Sequence, residues 1–288
     1  MLNKPFQPMV LQKSEKVPSD RRFLHQYKWD GHRLLFHYDR GKVRLFTREL
    51  NECTHQYPEL QSIQLPVESC ILDGECIVLD PLLSPPMPCF ESVMTRFHAS
   101  KESSIKKYMN SFPAHFVVWD MVFLNGKPLH QLALTERIEL LEDVVAPDSR
   151  ISITPSYDDG EMLFENITKI GGEGVVSKPK ESKYKFGSCS DHNAWYKTKN
   201  YQYEIVEIGG IRKAKFGWSL LHKGKYVGEL EFPPSKEISK AFFKIAKQLA
   251  VRETEDWIIL EPILKCKVKF QCYSKSGKMR SPSFIEFI

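Results

Sequence analysis

The chain has 288 residues, of which 42% are hydrophobic and 27% charged, values typical of a globular protein with one large or two modest domains. The net charge of +5 favours a polyanionic partner, although many unrelated enzymes share such a value. The sequence contains no signal-peptide pattern and no apolar run of roughly 18 residues, so we expect no membrane span. Its seven cysteines form no CxxC pair. This pattern is typical of reduced thiols and predicts a cytoplasmic protein without a zinc ribbon.

Strand-forming runs dominate the first 125 residues. Residues 34–38 and 43–47 predict two strands joined by a turn at residues 39–42. Two shorter runs, at residues 70–72 and 76–79, flank Asp73-Gly74-Glu75, which predicts strands broken by a turn. Residues 81–88 hold four prolines and predict a loop. The apolar run at residues 115–124 predicts a buried strand, with a turn at Asn125-Gly126.

The next segments are predicted to be helical. Residues 135–145 have apolar side chains at helical spacing, with Thr135 as the expected N-cap. A second helix is expected at residues 161–170, ended by Gly171-Gly172. Both follow strand-rich sequence, so the chain as a whole is predicted to be of the α+β class.

The composition changes after Lys199. Residues 203–232 predict strands with turns at Gly209-Gly210, Gly217 and Gly224-Lys225, followed by a helix at residues 236–250 and strands at residues 257–273. About five strands and one helix are typical of a small OB-fold β-barrel. We therefore expect two domains, residues 1–200 and residues 201–288.

The sharpest local pattern is Lys28-Trp29-Asp30-Gly31-His32-Arg33. No P-loop or dinucleotide-binding glycine pattern is present, so any nucleotide would bind by other means. A lysine that attacks phosphorus must be neutral, although the ordinary lysine pKa is about 10.4. Such a nucleophile therefore needs a pocket with other cations or a metal. Taken alone, the hexamer also fits a surface turn with an exposed lysine.

Further motifs follow in a fixed order, and together they resemble the covalent nucleotidyltransferase superfamily, in particular the small ATP-dependent DNA ligases of bacteria and phages. The matching segments are Lys28 to Arg33, Thr47-Arg48, Tyr57-Pro58-Glu59-Leu60, Asp73-Gly74-Glu75, Trp119-Asp120, Glu173-Gly174-Val175-Val176-Ser177-Lys178 and Trp195-Tyr196-Lys197-Thr198-Lys199. The resemblance continues through residues 267–270 and 277–284. It implies an adenylyltransferase domain of the ATP-grasp-like ligase type, followed by an OB-fold domain.

The resemblance also implies a role for each site residue. Lys28 would attack the α-phosphate of ATP and carry AMP, and Lys197 and Lys199, which alternate along a strand, would face that phosphate. Glu75 would contact the ribose or a metal and Glu173 would bind a metal, which we expect to be Mg²⁺ with Mn²⁺ as a possible substitute. The remaining ATP-binding positions are Gln26 (through its backbone carbonyl, to adenine), Arg33 and Arg48 (to phosphates) and Trp119 (stacked on adenine, or packed in the core).

The implied function is the sealing of 5′-phosphate/3′-hydroxyl nicks in duplex DNA by a monomer, in DNA repair, recombination or replication. RNA ligation, mRNA capping and nick binding without catalysis are the alternatives. No RxDK-like motif follows Phe284, so the chain is truncated, or another basic residue such as Arg280 substitutes, or the first step is slow. This absence leaves the nick-binding alternative open, and nucleotide preference tests RNA ligation and capping. We expect no DNA-binding domain like the one that precedes the core in larger ligases. DNA is then expected to be held by the core and the OB-fold domain, with these lysines as candidates: Lys213, Lys215, Lys223, Lys236, Lys240, Lys244 and Lys247.

Overall fold

A computed structural model of the protein describes residue 2 and residues 4–288. The chain divides into two compact units, Met1–Lys199 and Asn200–Ile288. The seven cysteines are free thiols, and five of them are buried. Among the described residues, no helix is both long enough and apolar enough to span a bilayer.

The first unit is built mainly from strands. The strands are β1 (Gln12–Lys13), β2 (Phe23–Tyr27), β3 (His32–Asp39), β4 (Lys42–Thr47), β5 (Ser69–Ile77), β6 (Leu79–Asp80), β7 (Met87–Pro88), β8 (His115–Leu124), β9 (Lys127–Pro128), β10 (Ile151–Ile153), β11 (Ser156–Tyr157), β12 (Gly174–Pro179) and β13 (Tyr196–Lys199). The helices are a 3-10 turn at Thr54–Gln56, α1 (Pro58–Gln61), α2 (Phe90–Phe97), α3 (Glu102–Ser111), α4 (Leu134–Val144) and α5 (Gly160–Lys169).

Two larger sheets organise this unit. One has the strand order β10-β8-β5-β3-β4, with β9 paired to β8, and the other has the order β1-β13-β12-β2-β11. Phe36 on β3 and Phe116 on β8 are fully buried and stack with ring centroids 5.5 Å apart. Each such burial contributes roughly 1.5–3 kcal/mol, so the two rings help to hold β3 and β8 in the first sheet.

The predicted turn at Asp73-Gly74-Glu75 is wrong, because β5 continues through it as one strand. A Cβ on Gly74 would lie 2.4 Å from the carbonyl oxygen of Val117, so β5 and β8 approach too closely there for any side chain. The ladder between these strands is irregular at the same place. Glycine therefore marks a close strand contact here rather than a chain reversal.

Other predictions for this unit are confirmed. Strands β3 and β4 form the expected hairpin, with Arg40 (φ 48°) and Gly41 (φ 81°) in its turn. Strand β8 is the predicted buried strand, and Asn125-Gly126 is its turn. The proline-rich loop is confirmed except at its end, where residues 87–88 form β7.

The two predicted helices are present with small shifts. Helix α4 begins at Leu134, and its N-cap is Ala133 rather than Thr135. The Glu136 carboxylate accepts a hydrogen bond from the Ala133 backbone N–H at 2.7 Å, which places the N-cap two residues earlier. Helix α5 ends before Gly171, whose φ of +74° terminates the helix as predicted.

The second unit contains a single sheet and one long helix. The elements are β14 (Gln202–Arg212), β15 (Trp218–His222), β16 (Lys225–Leu230), α6 (Lys236–Ala246), β17 (Ala250–Glu253), β18 (Trp257–Leu260), β19 (Lys265–Phe270) and β20 (Ser283–Phe287). The strand order is β16-β15-β14-β18-β17, and β19 pairs with both β14 and β20. The core of the unit packs around Trp218 and Phe242, whose rings lie 3.9 Å apart.

Two local predictions for this unit are wrong. Gly209-Gly210 lies inside β14 at a bulge opposite β15 rather than in a turn. Helix α6 ends at Ala246 instead of residue 250, because residues 250–253 pair with β18. Within residues 200–288, all of which are described, the strand pairings do not close into a barrel.

Candidate active site

Lys28 lies at the end of β2, where that strand leaves the second sheet. Its backbone N–H donates to the carbonyl oxygen of Gly174 at 2.9 Å, which places Lys28 beside the start of β12. Three residues later, a Cβ on Gly31 would lie only 2.1 Å from the carbonyl oxygen of Cys76. The segment after Lys28 is therefore pressed against β5, and this contact requires glycine.

Glu173 holds two lysines at once. Its Oε2 accepts from the Lys28 ammonium at 2.6 Å, and its Oε1 pairs with Lys199 at 2.9 Å. Burial by itself would raise the pKa of Glu173, but the charges of Lys28 and Lys199 outweigh it and the pKa is lowered. The carboxylate therefore remains ionised although only 5% of its side chain is exposed.

Lys197 and Lys199 lie on the same face of β13, because the buried Thr198 between them points the other way. Burial lowers the pKa of Lys197, and the positive charges of Lys28 and Lys199 lower it further. The predicted grouping of three lysines is thus present in the structure. Such a cluster attracts a phosphate, since it concentrates positive charge where solvent is partly excluded.

Glu75 is a second carboxylate close to this cluster. Burial raises its pKa to about 8; Lys28 opposes this shift, and the negative charge of Glu173 adds to it. Two buried carboxylates thus share the charges of Lys28 and Lys199, and a bound divalent cation would add positive charge beside Glu75. Among the described residues, no group of three or more His, Cys, Asp or Glu is arranged to hold a metal, so other ligands would have to come from substrate or water.

Trp119 contributes to the wall of the cleft and also packs against the core. Lys178 lies beside Trp119, and the sequence predicts no role for it. Lys178 is 2% exposed, and its Nζ has no hydrogen-bond partner among the described residues. The Nζ lies 4.1 Å from the ring centroid of Trp195. Burial lowers the pKa of Lys178 to about 7. Its place as the last residue of the motif beginning at Glu173 was the only available signal.

The two predicted phosphate-binding arginines occupy different surroundings. The Arg33 guanidinium donates to both carboxylate oxygens of Asp73, with the Nε–Oδ1 distance at 2.8 Å, and to the carbonyl oxygen of Met9 at 2.6 Å. The pKa of Arg33 is raised, because its pairing with Asp73 outweighs the opposing effect of burial. Arg48 is exposed at the rim of the cleft. Arg48 is therefore the more available of the two for a ligand.

Gln26 is buried, and its side-chain Nε2 donates to Ser156 Oγ at 3.1 Å. Its Oε1 has no hydrogen-bond partner among the described residues. The backbone of Gln26 lies opposite Val176 in the β2–β12 ladder. Because Lys28 is hydrogen-bonded to Gly174 two residues further along, alternation directs the Gln26 backbone carbonyl toward β12. The buried side-chain oxygen is thus the less committed acceptor at this position.

These side chains surround one cleft with a volume of about 520 Å³, within the usual size range of a small-molecule site. The predicted residues that line it are Gln26, Lys28, Arg33, Arg48, Glu75, Trp119 and Lys197. Glu173 joins this set through its ion pair with Lys28, and Lys199 joins it through its ion pair with Glu173. Every predicted site residue is thus gathered around the cleft.

Comparisons with known proteins identify the class. Residues 1–199 match the family model described as the ATP dependent DNA ligase domain. The chain is 32% identical over 279 residues to the SPbeta prophage-derived DNA ligase-like protein LigB of Bacillus subtilis (strain 168), covering 96% of this chain and 97% of that protein. It is 26% identical over 313 residues to a DNA ligase of Thermococcus fumicolans, covering 99% of this chain but 55% of that protein.

A solved structure of mycobacterial DNA ligase D complexed with ATP and MES has the same fold. Its TM-score is 0.59 at 23% identity, with 98% of this chain and 95% of that chain covered. The mixed α+β fold is therefore that of ATP-dependent ligase catalytic domains. With the match over residues 1–199, the chain belongs to the ATP-dependent DNA ligase family, and it is a ligase enzyme.

Proposed function

We propose that this protein seals 5′-phosphate/3′-hydroxyl nicks in duplex DNA, with Lys28 as the residue that carries AMP. The observation that carries this proposal is the position of Lys28 within a cluster of Lys197, Lys199 and Glu173 at a cleft large enough for a nucleotide. The family supports ATP as the substrate. The positions of the site residues support the roles that follow.

In the first step, the Lys28 nitrogen attacks the α-phosphorus of ATP, a P–N bond forms, and the bond to the β-phosphate oxygen breaks to release pyrophosphate. An ammonium nitrogen has no lone pair, so Lys28 must leave its 2.6 Å ion pair with Glu173 and pass a proton to solvent before it attacks. Lys197 and Lys199 would donate to the α-phosphate oxygens as their negative charge grows.

The nucleotide base and phosphates would lie against different walls. Trp119 would stack on adenine, and the unpartnered Gln26 Oε1 and Lys178 Nζ would face its polar edge. The exposed Arg48 would bind phosphate. Arg33, whose donors are occupied by Asp73 and Met9, would position the cleft wall instead.

Glu75 and Glu173 would hold a Mg²⁺ ion, for which Mn²⁺ could substitute. Two neighbouring buried carboxylates, one with its pKa raised to about 8, offer the oxygen ligands that a hard cation prefers. The cation would neutralise phosphate charge and compete with Lys28 for the Glu173 carboxylate. The protein groups around it would keep the phosphate and the amine aligned.

In the later steps, AMP passes from Lys28 to the 5′-phosphate of the nick, and the 3′-hydroxyl then displaces AMP to form the phosphodiester bond. We propose that residues 1–200 act as the adenylyltransferase domain and residues 201–288 as an OB-fold domain, supported by the one-sheet, one-helix composition of the second unit. A cytoplasmic monomer acting in DNA repair, replication or recombination completes the proposal.

Incubation with α-labelled ATP and Mg²⁺ tests this function. We expect an acid-labile protein adenylate with the wild type and with the control Lys101→Ala, which changes an exposed lysine on the surface. We expect none with Lys28→Ala, and joining of a nicked duplex only by proteins that form the adenylate. An adenylate on Lys28→Ala would contradict the proposal. A stable guanylate formed from GTP would support the capping alternative instead.

A further inference from the structure

The second unit carries all of the net positive charge of the protein. Residues 200–288 contain 16 Lys and Arg against 10 Asp and Glu, whereas residues 1–199 contain 25 against 26. A polyanion is therefore attracted to the second unit rather than uniformly to the chain.

Seven lysines of this unit were expected from sequence to hold DNA, and the structure separates them. Lys213 is already paired with Glu253 at 2.9 Å, while Lys215 and Lys223 lie in connections between strands. The other four belong to helix α6 and the residue after it. We name these four the α6 lysine stripe: Lys236, Lys240, Lys244 and Lys247.

Helical geometry places the whole stripe on one side of α6. The spacings of four, four and three residues return each lysine to within about 80° of the others at 100° per residue. All four are exposed, and among the described residues none forms an ion pair. The buried residues Phe242 and Ala246 lie on the other side of α6 and pack against the core of the unit.

The stripe borders a shallow depression whose apolar floor is formed by Pro233, Pro234 and Phe243. Because the positive charges of the stripe lie beside an apolar surface of low dielectric constant, their electric field is directed mainly into the solvent. Neighbouring lysines at these spacings also repel one another, which disfavours the helix unless an anion binds. The stripe therefore fits a ligand that offers several negative charges in a row.

We propose that the α6 lysine stripe binds consecutive phosphates of the duplex flanking the nick. The rise along α6 is about 6 Å for each four residues, so the lysines form a linear row that a sugar–phosphate backbone can follow. Lysine acts here as a point charge without base readout, so the contact is independent of DNA sequence. This inference rests on the proposed function, which supplies DNA as the polyanion.

The test compares two quadruple variants. In the stripe variant, Lys236, Lys240, Lys244 and Lys247 become Gln, which has a helix propensity close to that of lysine. The control variant removes the same amount of charge, from four exposed lysines spread over the first unit and outside the cleft. Its substitutions are K42Q, K101Q, K127Q and K169Q.

Binding of a nicked duplex is measured by anisotropy over a range of KCl concentrations. Each phosphate that a lysine neutralises adds about 0.9 to the steepness of log affinity against log salt, so the slope of the stripe variant should be shallower by about 3–4. The slope of the control variant should change far less. An unchanged slope, or an equal change in both variants, would overturn the proposal, and the second result would leave only a net-charge effect.

Formation of the protein adenylate without DNA separates this inference from the proposed function. The stripe variant should form it at the wild-type rate, since the stripe residues are not among those that line the cleft around Lys28. If the wild type forms no adenylate, the proposed function fails while the salt slopes still decide the role of the stripe. Equal unfolding midpoints for the three proteins in urea show that the comparison concerns binding.

Discussion

Lys178→Met should stabilise the protein and weaken nucleotide binding. The lysine is 2% exposed, its Nζ has no hydrogen-bond partner among the described residues, and burial lowers its pKa from 10.5 to about 7. Between these two pKa values the unfolded chain binds a proton that the folded chain does not, so stability rises with pH. Methionine has a similar length and carries no charge, so the substitution removes the free-energy cost of burying the amine.

The magnitude follows from the two pKa values. Each pKa unit corresponds to about 1.4 kcal/mol, so burying Lys178 costs about 4 kcal/mol at pH 7 and about 2 kcal/mol at pH 9. The Lys178 ammonium lies 4.1 Å from the ring centroid of Trp195, a contact that favours the charged form. A cation–π contact of this kind contributes about 1–2 kcal/mol, too little to reverse the sign at pH 7.

Urea unfolding of the wild type and of Lys178→Met at pH 7 and pH 9 tests this reasoning. The free energy of unfolding should rise by about 3–4 kcal/mol at pH 7 and by about 2 kcal/mol at pH 9. The exposed control Lys169→Met should change it by less than about 0.5 kcal/mol at either pH. A destabilised Lys178→Met, or a gain independent of pH, would refute the account of a buried, unpartnered amine. Isothermal titration should show weaker ATP binding by the variant.

Three further predictions concern other contacts. Because the pKa of Glu75 is raised to about 8, apparent Mg²⁺ affinity should increase as pH rises through 8, and Glu75→Gln should abolish this dependence in a Mg²⁺ titration of adenylate formation; a pH-independent wild type would contradict the metal assignment. Gly31→Ala should lower the free energy of unfolding by more than about 2 kcal/mol, because its Cβ would lie 2.1 Å from the Cys76 carbonyl oxygen. Gly126→Ala, with φ +84° and open space around the Cβ, should cost only about 1 kcal/mol, and equal costs at the two positions would refute the close-contact explanation. Asp120→Asn should cost about 3–5 kcal/mol in thermal or urea unfolding, since it leaves the buried charge of Arg137 without an opposite charge; a cost below about 1 kcal/mol would show that the pair is not buried in solution.

The sequence predicted the residues of the site better than their individual surroundings. Lys28, Glu173 and Lys199 are brought together as their motifs suggested, because β2, β12 and β13 are neighbours in one sheet. Strand alternation correctly placed Lys197 and Lys199 on one face. Long apolar runs such as β8 were predictable for the same reason, since burial on both sides leaves a local pattern in the sequence.

The acidic residues of the motifs show what sequence could not supply. Asp73 binds Arg33, Asp120 binds Arg137 and Glu59 binds Arg96, so these carboxylates stabilise the fold around the cleft. Only tertiary pairing separates them from Glu75 and Glu173, because all five have the same chemistry in the chain. The turn wrongly predicted at Gly74 has a similar cause, since the close approach of β8 is a long-range contact.

The same limit applies to Lys178 and to the second unit. Nothing local distinguishes a buried, unpartnered lysine from an exposed one, and the indole rings that enclose Lys178 belong to Trp119 and Trp195, distant in sequence from each other. In the second unit, the turn predicted at Gly209-Gly210 is wrong, because these residues form a bulge that depends on pairing with β15. Register between strands is a tertiary property, so sequence patterns alone do not determine it.

The most direct test of the central claim is to locate AMP on the protein. The wild type is incubated with ATP and Mg²⁺, digested at neutral pH, and the modified peptide is sequenced by tandem mass spectrometry before and after a chase with nicked duplex DNA. We predict AMP on Lys28 before the chase, its removal from Lys28 during the chase, and a joined strand in proportion. AMP on another residue, or AMP on Lys28 that DNA does not discharge, would contradict the account.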